Sequence, residues 1–396
     1  MNLVLYVSDA LRVDYVGCYG ARFVNTRTID ELASSGVRFD QAVSAAPWTC
    51  PSMTSILTGL YPHHHGVLHW DAQLPDSTPT LFSLARAGGY ETASVVFDER
   101  YLYGGLPPES VLGTSERLDT AIEWLRANRS RPFLLLVHSW ATHMPYGVLH
   151  AERGEWRAAK AEILAGIRED SARSLEALRE AYAQAVERQS EVLLASLLEE
   201  LESLGLRERT AFAFLSDHGE SWGERYEDKA AVKGVYFMHG ATLHEEIVQV
   251  PLLLSAPSRL EPGVVWSQVR TVDLAPTLLE LAGAAVPELD GRSLLPLADG
   301  REEGDRLAVI AGTDAGSLSQ LAVRLPPWKL VHRLADGGEE AYRLDVDPRE
   351  RTSRPGDVPG ELRDALYREL DAVPRPELTP EDEAVITARL ADLGYL

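Results

Sequence analysis

Short apolar stretches recur along the first two thirds of the chain, separated by segments whose apolar residues follow helical spacing. The stretches are rich in Val, Leu and Phe, as in strands buried on both faces: LVLYV, ETASVVF, PFLLLVHSW, TAFAFLSD and VPLLLSAP. The helical spacing predicts helices over residues 28–35, 51–58, 80–87, 116–128 and 273–282. Buried strands that alternate with helices predict an α/β fold with a mostly parallel central sheet flanked by helices.

Two regions depart from this alternation. Residues 156–204 are charged, rich in Ala, Leu and Glu and almost free of Gly, which predicts one long helix or a helical hairpin. After about residue 300, LAVRLPPWKLVHRL and EAYRLDVDP are typical of short antiparallel strands, and GELRDALYRELDAV of a helix. We therefore expect a main α/β domain over residues 1–300 and a small C-terminal α+β subdomain over residues 301–396.

Composition narrows the class of protein. The formal charge of −22 over 396 residues argues against a broad nucleic-acid-binding surface. The two cysteines, Cys18 and Cys50, cannot form a disulfide framework and have no spacing typical of zinc thiolates. The first residues, MNLVLYVSDAL, lack the features of a signal peptide, and no stretch reaches the roughly 18 apolar residues of a membrane span. We expect a cytoplasmic protein without membrane partners.

Polar residues follow several predicted strands at the point where each strand ends. Asp9 follows LVLYVS, His138 and His143 follow PFLLLV, and Asp217 and His218 follow TAFAFLS. Because ligand sites in parallel sheets gather at the carboxyl ends of strands, these side chains can share one site. Carboxylates and imidazole suit a divalent ion such as Zn²⁺ or Mn²⁺. Helix-capping aspartates beside a surface histidine are the alternative, and these residues alone leave it open.

The segment WTCPSMTSILTG contains the most informative local pattern. Pro51, near the start of a helix, predicts that Thr49 occupies the N-cap position. The hydroxyl would then lie beside free backbone N–H groups and the positive end of the helix dipole, a setting that can activate a nucleophile or receive an anion. An ordinary threonine N-cap is the alternative interpretation.

Taken together, these segments resemble the alkaline-phosphatase superfamily, and within it the sulfatase and phosphonate monoester hydrolase branch. The resemblance covers nearly the whole chain and depends on ordered motifs: DALRVDYVGCYG, TIDELASSGVRFDQAVS, ILTGLYPHHHGV, HSWATHMPY, FLSDHGES, MHGATLHEEIVQVPLLLSAP, DLAPTLLELAG, DGRSLLPL and AYRLDVDPRE. In typical sulfatases a Cys, two residues before a Pro and four before an Arg, is oxidised to formylglycine and lies ten residues before the closing Gly. Thr49 lies ten residues before Gly59, and Met53 stands at the arginine position. The resemblance therefore implies that Thr49 is the nucleophile, as a threonine is in the phosphodiesterase and glycerol-phosphate transferase relatives, and that Cys50 is a bystander without formylglycine.

The resemblance also implies a ligand set, with departures from the family pattern. Ala10 follows Asp9 where sulfatases often have a second Asp, and Ala141 and Thr142 stand where relatives often have Asp-Pro. We expect one divalent ion, Mn²⁺ or Zn²⁺ before Mg²⁺ or Ca²⁺, held by four residues: Asp9, Thr49, Asp217 and His218. Two histidines fall at positions that contact substrate or protonate the leaving group: His143 and His239. We expect no ligand role for the run of residues 63–65 and a packing role for Cys18.

A threonine nucleophile changes which class of substrate we expect. Formylglycine hydrate can expel sulfate by collapsing to an aldehyde, which threonine cannot do, so we expect a metal-dependent hydrolase of small phosphate esters or phosphonate monoesters, with sulfate esters as promiscuous substrates. The alternatives are a sulfatase lacking formylglycine, a transferase of phosphate-linked head groups and a non-catalytic binding protein. The sequence leaves open whether the protein forms a homo-oligomer.

Overall fold

The computed structural model describes residues 1–96, 103–114, 118–146, 158, 161–163, 165–166, 171–223, 237–314, 316–373 and 384. Ten strands precede residue 300: β1 (Asn2–Ser8), β2 (Val37–Val43), β3 (Glu91–Val96), β4 (Val111–Thr114), β5 (Phe133–Ser139), β6 (Thr210–Ser216), β7 (Ser221–Trp222), β8 (Phe237–Met238), β9 (Gln249–Ser255) and β10 (Gly263–Arg270). Eight of these described strands form the central sheet in the order β10-β2-β9-β6-β1-β5-β3-β4. Within it β9 pairs antiparallel with β2 and β6, and the other pairs are parallel. The predicted mostly parallel α/β fold is confirmed.

The helices occupy the segments between these strands and follow the last of them: α1 (Arg27–Ser34), α2 (Thr49–Thr58), α3 (Pro62–His65), α4 (Leu81–Ala87), α5 (Asp119–Asn128), α6 (Ser171–Arg188), α7 (Ala195–Ser203), α8 (Glu245–Val248), α9 (Leu274–Ala282), α10 (Leu295–Ala298) and α11 (Gly360–Ala372). A π-helical segment, Gln189–Leu194, joins α6 to α7. The predicted helices are present with ends displaced by up to three residues. Most of residues 151–170, including the start of the predicted long helix, and residues 116–117 lie outside the described residues.

Two apolar layers cover the central sheet because successive side chains of a strand point to opposite faces. Leu3, Leu5 and Val7 of β1 pack in one layer, which contains residues of α2 and α9. Val4 and Tyr6 of the same strand pack in the other layer, which contains residues of α6 and α7. Every residue of β1 is buried, as the uninterrupted apolar run predicts.

Three strands of the central sheet have no counterpart among the predicted ones: β2, β4 and β10. The sequences VRFDQAV and GVVWSQVR mix polar with apolar residues, and the first five positions of β10 are exposed or partly exposed. Strands at or near a sheet edge bury less of their surface, so they lack the continuous apolar run that identifies a central strand.

A small antiparallel sheet follows the main region, in the order β11 (Ala308–Asp314), β12 (Ser317–Leu325), β13 (Trp328–Arg333) and β14 (Glu339–Arg343). Its apolar residues pack with α11 and also with residues before position 300, such as Tyr61, Val272 and Leu243. The strands and helix expected here are present, and the boundary at residues 300 and 301 stays a prediction. Among the described helices, none has the length and apolar character needed to cross a membrane.

Candidate active site

Three of the predicted ligands meet at one edge of the central sheet. Asp9 follows β1 and Asp217 follows β6, and these parallel strands are neighbours with Ser8 paired to Ser216. One ligand atom from each of Asp9, Asp217 and His218 can be chosen so that all three lie within 4.8 Å of one another. His218 Nε2 is 3.4 Å from Asp217 Oδ2 and 3.7 Å from Asp9 Oδ1, and all three side chains are inaccessible to solvent.

Thr49 reaches this group from α2. Its Oγ1 lies 3.2 Å from Asp9 Oδ2 and 3.3 Å from His218 Nε2. We refer to Asp9, Thr49, Asp217 and His218 as the metal cluster, because they are the four residues expected to hold a divalent ion. The structure brings all four together at the start of a helix.

The predicted N-cap position of Thr49 is wrong by one residue. Trp48 has extended backbone angles and is the N-cap, and Thr49 is the first helical residue. The backbone N–H of Ser52 donates to Trp48 O at 3.3 Å, which closes the first helical turn one residue earlier than Pro51 suggested. Proline is tolerated in the first turn because its missing N–H would lack a helical partner there anyway.

Buried hydroxyl groups fix the backbone around the metal cluster. Ser44 Oγ and Ser52 Oγ donate to the carbonyl oxygen of Asp217 at 2.5 and 2.7 Å, which ties α2 to the end of β6. Ala10 has a φ of 57° and its N–H donates to Asp217 Oδ1 at 3.2 Å. A non-glycine residue in this left-handed region is a local strain that the surrounding contacts must hold in place.

The carboxylates of the metal cluster have buried oxygen atoms that the protein does not satisfy. Among the residues that the structure describes, Asp9 Oδ1 and Asp217 Oδ2 have no hydrogen-bond partner. Burial and the neighbouring charge of Asp9 raise the pKa of Asp217 above its ordinary value. Burial acts to raise the pKa of Asp9 too, but His143, His138 and His218 together hold it below its usual range. Unpartnered carboxylate oxygens beside an imidazole fit a divalent cation.

His138 belongs to this group, although the ligand set that the resemblance implies omits it. Its Nε2 lies 3.3 Å from Asp9 Oδ2 and 3.9 Å from Asp217 Oδ2. The atom is buried and has no hydrogen-bond partner within the described part of the chain. The position of His138 at the end of β5, next to β1, was the available signal, because parallel neighbours end at the same edge.

The two histidines expected to contact substrate lie beside the metal cluster. The ring centroid of His239 is 4.3 Å from that of His218 and 5.3 Å from that of His143. Trp140 stacks on His143 with a centroid distance of 4.0 Å, which fixes the plane of that imidazole. Both rings lie close to the metal cluster, and their expected contact with substrate stays a prediction.

Glu220 contacts His239 and orients its ring. The sequence predicts no role for Glu220, which enters there only as part of the motif SDHGE. His239 Nδ1 lies 3.0 Å from Glu220 Oε1, and the hydroxyl of Tyr146 donates to Glu220 Oε2 at 3.0 Å. Trp222 Nε1 in turn donates to the oxygen of Tyr146 at 3.0 Å. Burial acts to raise the pKa of Glu220, but the facing charge of His239 and their hydrogen bond keep it below its ordinary value. A carboxylate at Nδ1 fixes the orientation of the His239 ring.

Cys50 points away from the metal cluster. It is fully buried within the apolar layer that contains Met53, Ile56 and Leu57, and burial raises the pKa of its thiol. A thiol held neutral among apolar side chains is unreactive. Cys18 is partly buried against the opposite layer, in agreement with a packing role.

The comparisons with known proteins agree with this architecture. A family model described as "Sulfatase" matches residues 1–106 and 107–284, and one described as "N-sulphoglucosamine sulphohydrolase, C-terminal" matches residues 236–371. The chain belongs to the sulfatase family and is an ester hydrolase of the alkaline-phosphatase superfamily. The resemblance drawn from the motifs is confirmed.

Named relatives point mainly to sulfate chemistry. A low-salt glycan biosynthesis sulfotransferase, Agl7, of Haloferax volcanii is 29% identical over 299 residues, which cover 74% of this chain and 64% of that protein. An ulvan-active sulfatase of Formosa agariphila is 27% identical over 446 residues, covering 99% of this chain and 81% of the relative. These names support the sulfatase alternative better than the expected phosphate or phosphonate ester hydrolase.

Solved structures share the fold at lower sequence identity. A 2-O GAG sulfatase aligns with a TM-score of 0.75 and 22% identity over 100% of this chain and 94% of the other. The phosphonate monoester hydrolase of Agrobacterium radiobacter aligns with a TM-score of 0.70 and 20% identity over 93% and 94% of the two chains. The two activities share one fold, so the fold alone does not choose between them.

Proposed function

We propose that this protein hydrolyses sulfate esters of small molecules, saccharides included, with Thr49 Oγ1 as the attacking atom and without formylglycine. The observation that carries the proposal is the position of the Thr49 hydroxyl, 3.2 Å from Asp9 and 3.3 Å from His218, while the Cys50 side chain lies in the apolar core. The names of the relatives support sulfate as the transferred group.

The metal cluster supplies the setting for the attack. A divalent cation held by Asp9, Asp217 and His218, with Mn²⁺ or Zn²⁺ expected before Mg²⁺ or Ca²⁺, would acidify a neighbouring hydroxyl and stabilise charge on the transferring group. Thr49 itself begins α2, so free backbone N–H groups of the first turn face the same negative charge. His138 adds a second buried imidazole nitrogen beside Asp9, after that of His218.

The proposed covalent step uses Thr49 and His239. Thr49 Oγ1 loses its proton to solvent and forms a bond to the sulfur, the ester S–O bond breaks, and the departing alcohol takes a proton from His239. Water then attacks the sulfur and the bond between the sulfur and Thr49 Oγ1 breaks, which releases sulfate. One proton of that water passes to His239 and the other restores the Thr49 hydroxyl. His143 lies beside His239 and can donate to an outer oxygen of the transferring group.

Hydrolysis of phosphate esters or phosphonate monoesters is the second candidate, and the threonine favours it. A threonine ester cannot expel sulfate by collapsing to an aldehyde, so water must attack the intermediate directly. Phosphorus and sulfur centres are similar in size and geometry, and the same residues serve both.

A substrate panel tests the proposal. Purified protein is assayed with Mn²⁺, Zn²⁺, Mg²⁺ or Ca²⁺ against chromogenic aryl and alkyl sulfates, phosphate monoesters, phosphate diesters and phosphonates, beside Thr49→Ala and Cys50→Ala. We expect sulfate esters to be the best substrates, with turnover lost in Thr49→Ala and kept in Cys50→Ala. Preferential turnover of phosphorus esters would replace the proposal with the second candidate.

Two further results would contradict hydrolysis. Transfer of the group to an added alcohol in preference to water would identify a transferase. Absence of turnover, together with absence of a stoichiometric ion in metal analysis, would identify a non-catalytic binding protein.

A further inference from the structure

A second group of histidines and carboxylates lies outside the candidate active site. His63 and His64 are in the short helix α3, and Glu369 is in α11, 306 residues further along the chain from His63. One ring nitrogen of each histidine and one oxygen of Glu369 lie within 4.8 Å of one another. We call these three residues the His63 cluster.

We propose that the His63 cluster is a structural binding site for a divalent transition metal, with Zn²⁺ as the expected ion. Two imidazoles and one carboxylate are ligands that Zn²⁺ and Co²⁺ accept in tetrahedral sites, with water or a further carboxylate completing the set. His63 Nε2 lies 2.9 Å from Glu369 Oε2, a hydrogen-bonding distance. Tetrahedral ligand atoms about 2.0–2.2 Å from one ion are about 3.3–3.6 Å apart, so these two atoms need to separate by only about 0.5 Å to share an ion.

Asp290 gives the site the outer partner that metal-binding histidines usually have. Its Oδ2 lies 2.8 Å from His64 Nδ1 and also accepts the backbone N–H of Tyr61 at 2.7 Å. A carboxylate at one ring nitrogen fixes the tautomer and leaves the other nitrogen, Nε2, with a lone pair for a metal. Burial acts to raise the pKa of Asp290, but the hydrogen bonds from His64 and from the backbone of Tyr61 hold it below its ordinary value.

The protein leaves part of the cluster unsatisfied. The side chain of His63 is inaccessible to solvent, and its Nδ1 has no hydrogen-bond partner among the described residues. By contrast, His65 in the same run hydrogen-bonds Ser55 through Nε2 at 3.0 Å and Val67 N through Nδ1 at 3.0 Å. His65 therefore has a complete structural role, and His63 does not.

The cluster is open to ions from solution. The side chain of His64 is 32% exposed and that of Glu369 is 25% exposed, so a hydrated ion can reach both without unfolding of the core. A bound ion would join α11 to the turn that follows the nucleophile helix α2. Cross-linking residues so distant in sequence stabilises the folded chain, because the unfolded chain loses loop entropy.

Metal stoichiometry tests the proposal on the full chain. Metal-stripped protein is dialysed against Zn²⁺ and, separately, Co²⁺, whose visible absorption reports tetrahedral imidazole and carboxylate ligands. We expect two equivalents bound per chain, one in the metal cluster and one in the His63 cluster. His64→Ala and Glu369→Gln should each lose one equivalent and the part of the Zn²⁺-induced rise in Tm that this site contributes.

His332→Ala is the matched control, since it removes a histidine of the small sheet outside both clusters, and it should keep both equivalents. Asp217→Asn should lose the other equivalent and keep the His63 site, which separates this proposal from the proposed function. Unchanged stoichiometry in both His64→Ala and Glu369→Gln, with folding verified by circular dichroism, would overturn the proposal. So would a single equivalent in the parent chain that only Asp217→Asn removes.

Discussion

The metal cluster and a second buried group of charges differ in how the protein balances them. The second group, which we call the ionic cluster, contains Glu245, Arg324, Lys329 and Glu350 between α8 and the small sheet. Arg324 Nε and Nη2 donate to the two oxygens of Glu245 at 3.0 and 2.8 Å. Lys329 Nζ lies 3.1 Å from Glu245 Oε1 and also forms an ion pair with Glu350. Two carboxylates therefore face two cations.

The metal cluster has no such balance among the described residues. Asp9 and Asp217 share their space with imidazoles, no Lys or Arg of the described residues forms an ion pair with either, and each has an oxygen without a hydrogen-bond partner. Burying an unbalanced carboxylate is unfavourable, whereas a carboxylate paired with cations can be buried as part of the architecture. The comparison teaches that buried charge alone does not identify a functional site, and that buried carboxylates without a paired Lys or Arg are the more specific signal.

The largest effect should come from removing the hydroxyl of the metal cluster. Thr49→Ala is expected to lower kcat/KM by about 10³-fold or more, because it removes the proposed attacking atom. Cys50→Ala, the adjacent control, should leave kcat/KM nearly unchanged. Steady-state kinetics measure both, and mass spectrometry of the peptide spanning residues 44–59 checks for oxidation. Activity that depends on Cys50, or an aldehyde at position 50, would contradict the assignment.

Breaking the ionic cluster should lower the free energy of unfolding more than it lowers catalytic activity. Lys329→Met removes the cation that pairs with both Glu245 and Glu350, so we expect the free energy of unfolding to fall by about 3–5 kcal/mol. The exposed pair of Arg301 and Asp299 offers a control, since Arg301→Met should change it by less than about 0.5 kcal/mol. Urea denaturation measures both, and equal small losses would show that the buried pair contributes no more than the exposed one.

In the proposed mechanism Glu220 acts on the leaving group through His239, whose Nδ1 it contacts. Glu220→Gln keeps an oxygen near Nδ1 but removes the charge, so kcat for alkyl esters should fall by roughly 10-fold to 100-fold. Aryl esters with good leaving groups need less proton donation and should lose less than about threefold. An equal loss for both substrate classes would indicate a general structural defect, and Tm is measured beside the kinetics.

Acid should weaken the ionic cluster. Burial acts to raise the pKa of Glu245, but Arg324 and Lys329 lower it from 4.5 to about 2. A lowered folded pKa contributes stability that is complete above the unfolded value and is lost as pH falls from about 4.5 through about 2. Tm measured across this range should fall less steeply in Glu245→Gln than in the parent chain, and parallel curves would contradict the prediction.

The smallest expected effect is on the free energy of unfolding, and it is a gain in stability rather than a loss. It comes from a substitution in the metal cluster. In metal-stripped protein, Asp217→Asn removes a buried charge that burial and Asp9 disfavour, so stability should stay equal or rise by about 0.5–1 kcal/mol. Its metal affinity should nevertheless collapse. A marked loss of stability without metal would show that the Asp217 charge is structurally required, as in the ionic cluster.

Much of the candidate site follows from sequence because its residues sit at the ends of central strands. The runs before Asp9 and Asp217 are wholly apolar, so strand, strand end and ligand position could be predicted together. Residues whose partners come from distant segments could not. Glu220 gains its role from His239 and Tyr146, and His63 gains a neighbour from α11. No local pattern in SDHGE or PHHH encodes those contacts.

The sequence by itself determined the α/β class, five of the central strands with the helices between them, and the place of Thr49 ten residues before Gly59. It could do so because apolar periodicity and motif spacing are properties of contiguous residues. The tertiary structure decided that His138 joins the carboxylates, that Cys50 faces the core, and which buried charges are paired. Those outcomes depend on the lateral order of strands and on the direction of side chains, which neighbouring residues along the chain do not specify.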